Sequence, residues 1–347
     1  MSEEANIEPL NPGSTEETML DSRALVDQTL SQLGFHASGE AVSPDEGLIA
    51  SNYFIDTAEQ GEIVIRANST EAATQEGVSF ETRALDFLGA NGVPVPALLQ
   101  FTDGSIEKIM GENRVIAYVP ISGETLSSEL DDKSIAHSAG ILLQRMLTVS
   151  GRYEPSGDEP SGDEEFIEGI THVFLEKYPN LSGESFFKDA LAIIGSEEYR
   201  TVLAGSPQGI VHADFFYENI IVENGDLNGI IDFGDAYYGA LVNDIAIGAM
   251  EFSVLEGSEQ WKPELFKAFI QPSAEWLVDN NIDYASFKAV LLANCLRFAV
   301  YTLGFELESD PSTKCEGNRY VRRFYKFRDN LTDALRSAYE EVTVGND

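Results

Sequence analysis

The stretch "HADFFYENIIVENGDLNGIIDFGD", residues 212–235, concentrates polar side chains within an otherwise apolar run. Two strand-like segments inside it, "NIIVEN" and "LNGIIDF", meet at a Gly-Asp turn, and this pattern predicts a small β-hairpin. The polar residues His212, Asp214, Asn219 and Asp232 then fall on the loops that flank the hairpin. Burying polar groups costs free energy unless they are bonded, so their concentration here indicates a chemical role.

An aspartate, an asparagine five residues later and a second aspartate beyond a hairpin suit the transfer of a phosphoryl group. That reaction needs a group that orients the attacking hydroxyl, and oxygen ligands that hold Mg²⁺ on the phosphates. Asn219 and Asp232 are the predicted Mg²⁺ ligands, and Asp214 is left to accept the hydrogen bond of the hydroxyl. His212 can hold the loop through its ring nitrogens. The alternative, in which the aspartates cap turns and Asn219 serves a loop, does not explain the joint spacing.

The pattern H-x-D-x-x-x-x-N, followed after 12 residues by D-F-G, resembles the protein-kinase-like small-molecule phosphotransferases. This superfamily includes aminoglycoside phosphotransferases, choline kinases and type II homoserine kinases. The resemblance implies ATP and Mg²⁺ as cofactors, with Asp214 as the catalytic-loop aspartate. Ala213 stands where protein kinases carry arginine, which favours the small-molecule branch. The expected fold class is α+β: a bilobal protein-kinase-like fold with a β-rich N-lobe, one inserted helix and a mainly helical C-lobe.

The resemblance also implies a cation on a strand of the N-lobe that contacts the α- and β-phosphates, and a helix carboxylate that holds this cation. Arg66, in "EIVIRAN", stands where the family usually places lysine, and its forked guanidinium binds phosphate with a different geometry. Glu81 is the predicted partner and Glu76 the second choice. The alternative is that Glu81 is a solvated carboxylate on the helix surface.

Further nucleotide contacts are expected from two segments of the N-lobe. The phosphate-covering loop is predicted within "EGLIASNYFI", which contains Gly47 but lacks a full glycine-rich motif. Ser51 and Asn52 can donate hydrogen bonds to phosphate oxygens there, or they can simply form a turn. The adenine is expected to dock on the backbone of "AYVP", near Tyr118 and Val119, because a strand edge offers paired donors and acceptors.

Composition divides the chain into three predicted parts. Residues 1–20 are expected to form a disordered acidic tail, residues 21–118 the nucleotide-binding N-lobe, and residues 119–347 the helical C-lobe with the catalytic loop and acceptor pocket. A β-hairpin is predicted around a turn at Glu59–Gly61. The tandem repeat of PSGDE at 155–164 indicates either a mobile lid over the substrate or a solvated connection.

The formal net charge is −37, from 22 basic and 59 acidic residues. A surface of this sign repels nucleic acid and anionic lipid, so neither is an expected partner. The acidity indicates either a pocket for a cationic substrate or a general surface property suited to high salt. No run of 18 apolar residues is present and the N-terminus is polar, which predicts a cytoplasmic location without a membrane span. Cys295 and Cys315 are expected to be unpaired thiols.

The expected partner is a small-molecule substrate with a hydroxyl group. The segments "SNYFIDT", "NGVPVPALL" and "CLRFAVYTL" resemble type II homoserine kinases, which favours a small amine-bearing metabolite such as homoserine. The D-F-G-D sequence at 232–235 departs from that group and is similar to hydroxylysine kinase-like and aminoglycoside-modifying relatives. The alternatives are an antibiotic phosphotransferase of the aminoglycoside type and a catalytically silent nucleotide-binding regulator. The sequence leaves the oligomeric state open.

Substrate contacts are expected from the C-lobe near Asp214. Arg297 lies in an apolar helical run and must be paired, either with a substrate carboxylate or with an acid such as Asp244. The segment "RYVRRFYKFR", residues 319–328, predicts either an anion-binding face or an amphipathic helix whose cations meet the acidic body of the protein. Four aromatic residues flank the motif and are expected to line the acceptor pocket or the core: Phe216, Tyr217, Tyr237 and Tyr238.

Overall fold

The computed structural model describes residues 15–43, 50–69, 75–127, 131–255 and 259–345. The chain divides into two compact units, one of residues 1–73 and 98–120 and the other of residues 74–97 and 121–347. Helix α1 (Thr15–Leu33) begins within the segment predicted as a tail, and residues 1–14 lie outside the described residues.

The first unit is built on an antiparallel sheet. Its strands run in the order β1-β2-β5-β3, with β4 also paired to β5. The strands are β1 (Ala50–Thr57), β2 (Gly61–Ser69), β3 (Ala97–Leu98), β4 (Lys108–Met110) and β5 (Asn113–Val119). The predicted hairpin is confirmed: β1 and β2 pair around residues 58–60, and Gly61 closes the turn with a φ of 78° that suits glycine.

One face of this sheet forms an apolar core with α1. Ile63 and Ile65 of β2 point to the side where Leu30 and Leu33 of α1 are also buried. Successive side chains of a strand point to opposite faces, so the even-numbered residues of β2 face away from α1. The second face therefore carries Arg66.

The second unit contains most of the helices and three short sheets. Its helices are α2 (Gln75–Ala90), α3 (Lys133–Ser150), α4 (Glu164–Lys177), α5 (Ser185–Ile194), α6 (Glu197–Gly205), α7 (Val242–Glu251), α8 (Pro263–Ile270), α9 (Ala274–Asp279), α10 (Tyr284–Ser309), α11 (Arg319–Tyr325) and α12 (Thr332–Thr343). Its strands are β6 (Glu124–Thr125), β7 (Gln208–Val211), β8 (Ile220–Glu223), β9 (Asp226–Ile230), β10 (Tyr237–Ala240), β11 (Val254–Leu255) and β12 (Gln260–Trp261).

Helix α2 belongs to the second unit, whereas the sequence places it in the N-lobe. The reason is its packing on the segment after α3. Phe80 and Phe87 meet the ring of Tyr153 edge-on, with centroids 5.9 and 5.3 Å away. Arg83 lies 3.2 Å from the carboxylate of Asp158. Apolar spacing predicts that α2 is amphipathic, but it does not say which neighbour covers the apolar face.

The hairpin of the motif forms from β8 and β9. Its turn is Asn224–Gly225, with φ values of 54° and 91°, and not the Gly-Asp pair that the sequence suggests. Asn-Gly is favoured here because a two-residue hairpin turn of this type needs a left-handed conformation at both positions. Strand β10 pairs antiparallel with β7, opposing Tyr237 to Val211, and so returns the chain to the start of the motif.

Helical spacing in the sequence predicts continuous helices at 184–204, 260–280 and 317–342, and all three are broken in the structure. The helix predicted at 260–280 is divided into α8 and α9 by a 3₁₀ turn at Gln271–Ser273. The helix predicted at 184–204 is divided into α5 and α6, because the side chain of Ser196 accepts a hydrogen bond from the backbone of Tyr199 and starts a new helix. The helix predicted at 317–342 is divided by a π-helical turn at Lys326–Asn330. The cysteines are unpaired, as predicted, and both are buried.

Within the described part of the chain, α10 is the one helix long and apolar enough to cross a membrane. However, 72% of its most apolar window is buried inside the fold, which is typical of a core helix. Helices α5, α6, α7 and α11 all pack on it.

Helix α3 crosses closely over the end of α8, and this approach leads to a stability prediction. A Cβ atom at Gly140 would collide with the backbone carbonyl of Phe269, whereas one at Gly169 in α4 would meet no atom within 4 Å. Gly140→Ala is expected to destabilise the fold by about 2–3 kcal/mol through overpacking. Gly169→Ala, the matched control, is expected to stabilise it by about 0.5–1 kcal/mol through helix propensity. Denaturant unfolding measures both, and equal effects would contradict the close approach.

Candidate active site

The antiparallel pairing of β7 and β10 brings the two polar ends of the motif together. The loop after β7 begins at His212, and the loop after β9 runs from Ile231 to the start of β10. The ring Nε2 of His212 lies 2.9 Å from the carbonyl oxygen of Ile231, and the backbone N–H of Ile231 donates to the carbonyl of Asn219 at 2.9 Å. These bonds join the loop that contains Asp214 to the loop that contains Asp232.

His212 is fully buried, and both nitrogens of its ring contact backbone groups. Its Nδ1 accepts a hydrogen bond from the backbone N–H of Asp214 at 3.2 Å, which assigns the proton to Nε2 and to the bond with Ile231. Burial lowers the pKa of the imidazole, so the neutral ring is favoured. These bonds suit His212 to holding the loop.

Asp244, in the first turn of α7, also holds the loop that follows β7. Its two carboxylate oxygens accept the backbone N–H groups of His212 and Ala213 at 2.7 and 2.8 Å. Ala213 has a φ of 69°, a left-handed conformation that is strained for alanine and that these bonds help to maintain. The sequence reasoning missed this role. The signal was a charged residue inside the apolar run "VNDIAIGAM".

Arg297 of α10 is buried and bonds the carbonyl group of Ala213. Its NH1 donates to the carbonyl of Ala213 at 2.5 Å, and its NH2 lies 3.5 Å from the carboxylate of Asp235. The sequence named Asp244 as an example of a salt-bridge partner, and this pairing is not formed because Asp244 is engaged by backbone N–H groups. Only 4% of the Arg297 side chain is exposed, so the guanidinium is not presented to a substrate carboxylate.

Asp214 is oriented by Asn219. The side-chain Nδ2 of Asn219 donates to both the carbonyl oxygen and Oδ2 of Asp214, at 2.8 and 3.0 Å. Burial raises the pKa of the Asp214 carboxyl to about 7, and the charge of Asp235 adds to this effect while Arg297 opposes it. A carboxyl whose pKa lies near neutrality can accept a proton from a hydroxyl, which is what a general base requires.

The donor atoms of Asn219 and Asp232 fit a hard cation. Because Nδ2 of Asn219 is used by Asp214, its Oδ1 is the atom suited to a metal, and Asp232 contributes an exposed carboxylate. Asp232 has a φ of 61°, a conformation that aspartate and asparagine adopt more readily than most residues. No cluster of three or more His, Cys, Asp or Glu side chains suited to a metal occurs among the described residues. A pair of oxygen ligands is sufficient for Mg²⁺ that is also bound to phosphates.

The buried carboxyl of Asp244 leads to a prediction on pH dependence. Burial raises the pKa of Asp244 to about 7, against the opposite effect of the two N–H groups. An aspartate in the unfolded chain titrates near pH 3.9, so between about pH 4 and 7 the folded state holds the proton more tightly. This contribution to stability is present below pH 4 and is lost as the pH rises to 7.

Asp244→Asn removes that titration, so its stability is expected to fall less steeply between pH 4 and 7 than that of the wild type. The difference in slope is at most about 1.4 kcal/mol per pH unit. Denaturant unfolding across this range measures it. Asp279→Asn, at an exposed position in α9, is the control and is expected to keep the wild-type slope. Parallel curves for the wild type and Asp244→Asn would contradict the raised pKa.

The aromatic residues near the motif differ in exposure. Tyr217 is buried and packs on Phe252 with centroids 4.4 Å apart, and Tyr237 is also buried. Phe216 and Tyr238 are half-buried. Core packing thus accounts for Tyr217 and Tyr237, and the other two keep exposed surface.

The basic segment at 319–328 forms an amphipathic helical stretch whose cations meet acidic residues, as one of the two predictions stated. Arg323 is buried and donates to Glu251 at 2.8 Å and to Glu259 at 3.0 Å. Arg328 bonds Asp189 at 2.6 Å.

The tandem PSGDE segment is held by specific bonds. In the first copy, the carboxylate of Glu159 accepts the backbone N–H groups of Ser156 and Gly157, at 2.7 and 2.8 Å. In the second copy, Asp163 caps the N-terminus of α4. Beside the second copy lies a cavity of about 460 Å³, whose wall includes Tyr237. The two copies have the same sequence but different bonding roles.

Some of the residues predicted to bind the nucleotide lie on one face of the sheet in the first unit. Asn52 lies directly opposite Arg66 in the β1–β2 pairing, and strand alternation places the Tyr118 side chain on the same face. Ser51 lies opposite Ala67 and therefore points to the α1 side of the sheet. Val119 ends β5.

The remaining predicted residues of the nucleotide site lie in or near α2. Glu81 is buried in this helix. Glu76 also lies in α2, but its side chain is outside the described residues, as are residues 46–49 of the segment that contains the predicted phosphate-covering loop, Gly47 among them. The pairing of Glu81 with Arg66 stays a prediction.

The family model described as "Phosphotransferase enzyme family" matches residues 40–278, more than half of the chain. Among curated proteins, the chain is 28% identical to a homoserine kinase of Polaromonas naphthalenivorans over 208 residues, 58% of this chain and 61% of that enzyme, which is less than two thirds of its length. It is 25% identical to a homoserine kinase of Neisseria meningitidis over 74% of this chain and 81% of that enzyme. A hydroxylysine kinase of Mus musculus is 22% identical, over 81% of this chain and 80% of that enzyme.

Solved structures share the fold at low identity. The amicoumacin kinase hAmiN, in complex with AMP-PNP, Ca²⁺ and Ami, superposes with a TM-score of 0.59 and 13% identity, over 96% of this chain and 97% of that chain. Aminoglycoside phosphotransferase APH(4)-Ia superposes with a TM-score of 0.58 and 14% identity, over 91% and 99%. The mixed helix and strand fold of this chain is therefore the protein-kinase-like fold of these enzymes, as the sequence predicts.

Proposed function

Because this chain belongs to the phosphotransferase enzyme family and is a small-molecule phosphotransferase, we propose that it transfers the γ-phosphate of ATP to a hydroxyl of a small amine-bearing metabolite, with homoserine as the favoured acceptor. The observation that carries the proposal is the pair of hydrogen bonds from Asn219 to Asp214, inside a loop held by Asp244 and Arg297. This loop presents one carboxylate in a fixed orientation beside the segment that contains Asp232.

In the proposed mechanism Asp214 accepts the hydrogen bond of the acceptor hydroxyl and takes up its proton as the oxygen attacks the γ-phosphorus. The bond between this phosphorus and the β–γ bridging oxygen breaks, and ADP leaves with that oxygen. Phosphoryl transfer needs positioning and charge stabilisation more than covalent chemistry, so a rigid loop is a large part of what the protein supplies. His212 and Asp244 act by holding the backbone on both sides of Ala213.

Asn219 and Asp232 would hold Mg²⁺ through side-chain oxygens, and the ion would offset the charge of the phosphates. In the first unit, Arg66 and Asn52 are proposed to contact the phosphates, and Tyr118 and Val119 to lie near the adenine. Support for the first pair comes from their direct opposition in the β1–β2 hairpin.

Homoserine is favoured because curated homoserine kinases are similar to this chain at 21–28% identity. The antibiotic alternative rests on solved relatives whose identity of 13–14% supports the fold alone. The D-F-G-D sequence keeps hydroxylated amino acids other than homoserine among the candidates, since a hydroxylysine kinase is among the relatives.

An ADP-release assay with a panel of acceptors tests the proposal. The panel contains homoserine, hydroxylysine, choline and an aminoglycoside, each with ATP and Mg²⁺. We expect homoserine or another small amino alcohol to give the highest kcat/KM. Preferred turnover of the aminoglycoside would replace the proposal with the antibiotic alternative. Thermal stabilisation by Mg-ATP without ADP release for any acceptor would favour the silent regulator.

A further inference from the structure

Asp235 is an exposed carboxylate that immediately follows the D-F-G sequence. Its side chain is 51% exposed, and one of its oxygens lies 3.5 Å from NH2 of the buried Arg297. Arg297 is itself held by its bond to the Ala213 carbonyl. Asp235 therefore has a preferred orientation, because the cation behind it is fixed, while much of the carboxylate faces solvent.

Tyr301 lies one helical turn beyond Arg297 on the same face of α10, since residues four apart share a face. It is 40% exposed, although most of this helix is buried. Burial raises the pKa of the Tyr301 hydroxyl. The charge of Arg297 opposes this rise and the charge of Asp235 adds to it. Tyr301 and Asp235 therefore flank the same buried guanidinium, Tyr301 through its spacing along α10 and Asp235 through its 3.5 Å approach to NH2.

The accessible charges on this side of the second unit are carboxylates. Asp232 and Asp235 are exposed, whereas only 4% of the Arg297 side chain is exposed. The other buried cation nearby, Arg323, is occupied by Glu251 and Glu259. This surface therefore attracts a cationic group.

We propose that Asp235 and Tyr301 form the subsite that binds the ammonium group of the acceptor, with Arg297 as the residue that positions Asp235. This inference rests on the proposed function and assigns to it the residues that select an amine-bearing acceptor. The ammonium donates a hydrogen bond to the exposed oxygens of Asp235 and lies against the ring of Tyr301, where the face of the aromatic system attracts a cation. The acceptor hydroxyl then extends toward Asp214.

The test compares homoserine with 4-hydroxybutanoate, which has the same chain and hydroxyl but lacks the ammonium. The readout is the ratio of kcat/KM for the two acceptors, measured on the same preparation, so that it does not depend on how much of a variant is folded. Asp235→Asn is expected to lower this ratio by about tenfold or more, mainly through KM for homoserine, because a charged hydrogen bond is lost. Asp235→Glu is expected to recover part of it.

Tyr301→Leu is expected to lower the same ratio by about threefold, since it removes the aromatic face but keeps an apolar side chain. Phe305→Leu, at an exposed aromatic residue one turn further along α10, is the matched control and is expected to keep the ratio. Asp279→Asn removes the same charge from an exposed position in α9 and controls for the net charge of the protein.

A ratio that is unchanged in Asp235→Asn, or that falls equally in Asp279→Asn, would overturn the subsite while leaving the proposed function in place. Turnover of neither acceptor by the wild type, in a panel where an unrelated acceptor is phosphorylated, would overturn the proposed function and the subsite with it. A fall in the ratio confined to Asp235→Asn and Tyr301→Leu supports the inference.

Discussion

Asp214→Asn is expected to lower kcat by a factor of about 10³ and to leave the affinity for the nucleotide nearly unchanged, because the amide cannot take the proton of the attacking hydroxyl. The substitution keeps the size of the side chain and retains an oxygen that can accept the hydrogen bond from Asn219, so the loop is expected to keep its conformation. Steady-state kinetics with the preferred acceptor measures kcat, and calorimetry with Mg-ADP measures binding.

Glu218→Gln is the matched control for this variant. Glu218 lies in the same loop and is exposed, one residue before Asn219. The Glu218→Gln substitution removes one negative charge from the same region, and we expect a kcat near that of the wild type. Normal turnover by Asp214→Asn, or an equal loss in both variants, would refute the assignment of Asp214 as the general base.

Asp232→Asn is expected to weaken the binding of Mg-ATP by at least about tenfold, because a carboxylate ligand of the metal is replaced by a neutral amide. Asparagine is preferred to alanine here because Asp232 has a left-handed φ of 61°, which asparagine adopts with little strain. Asp232→Ala is expected to show the same loss with an added cost in stability. Nucleotide titrations at several Mg²⁺ concentrations measure the effect.

The metal role is separated from a general effect of charge by two comparisons. Binding of ATP without Mg²⁺ is expected to be no weaker in Asp232→Asn than in the wild type, since one negative charge has been removed from the neighbourhood of the phosphates. Asp226→Asn, at the exposed start of β9, is expected to behave as the wild type throughout. An unchanged dependence on Mg²⁺ in Asp232→Asn would exclude this residue as a ligand.

The acceptor is the part of the function that sequence similarity limits most. At 21–28% identity, relatives support the reaction class and the family, but a specificity pocket can change through a few side chains. Asp235 illustrates this, since the residue that follows the D-F-G sequence of this chain is a carboxylate next to Arg297. The acceptor is therefore best sought through this carboxylate and its neighbours.

Local sequence was sufficient where the determining contacts are local. The β1–β2 hairpin and the motif hairpin follow from alternation and turn residues, and the family follows from the spacing of Asp214, Asn219 and Asp232 within one short stretch. Such features are encoded by neighbouring residues because strand period and turn geometry act over a few positions. The exact turn, Asn224–Gly225, was missed by one residue even so.

The sequence by itself determined the reaction class, the hairpin that carries the motif, and the requirement that Arg297 be paired. Tertiary structure alone decided that its partners are Ala213 and Asp235, that Asp244 holds the loop through backbone N–H groups, and that α2 joins the second unit. The physical reason is that a buried charge needs a partner, but the residues next to it in the sequence do not specify which residue that partner is. The partner is chosen by packing between segments far apart in the chain, such as α10 and the loop after β7.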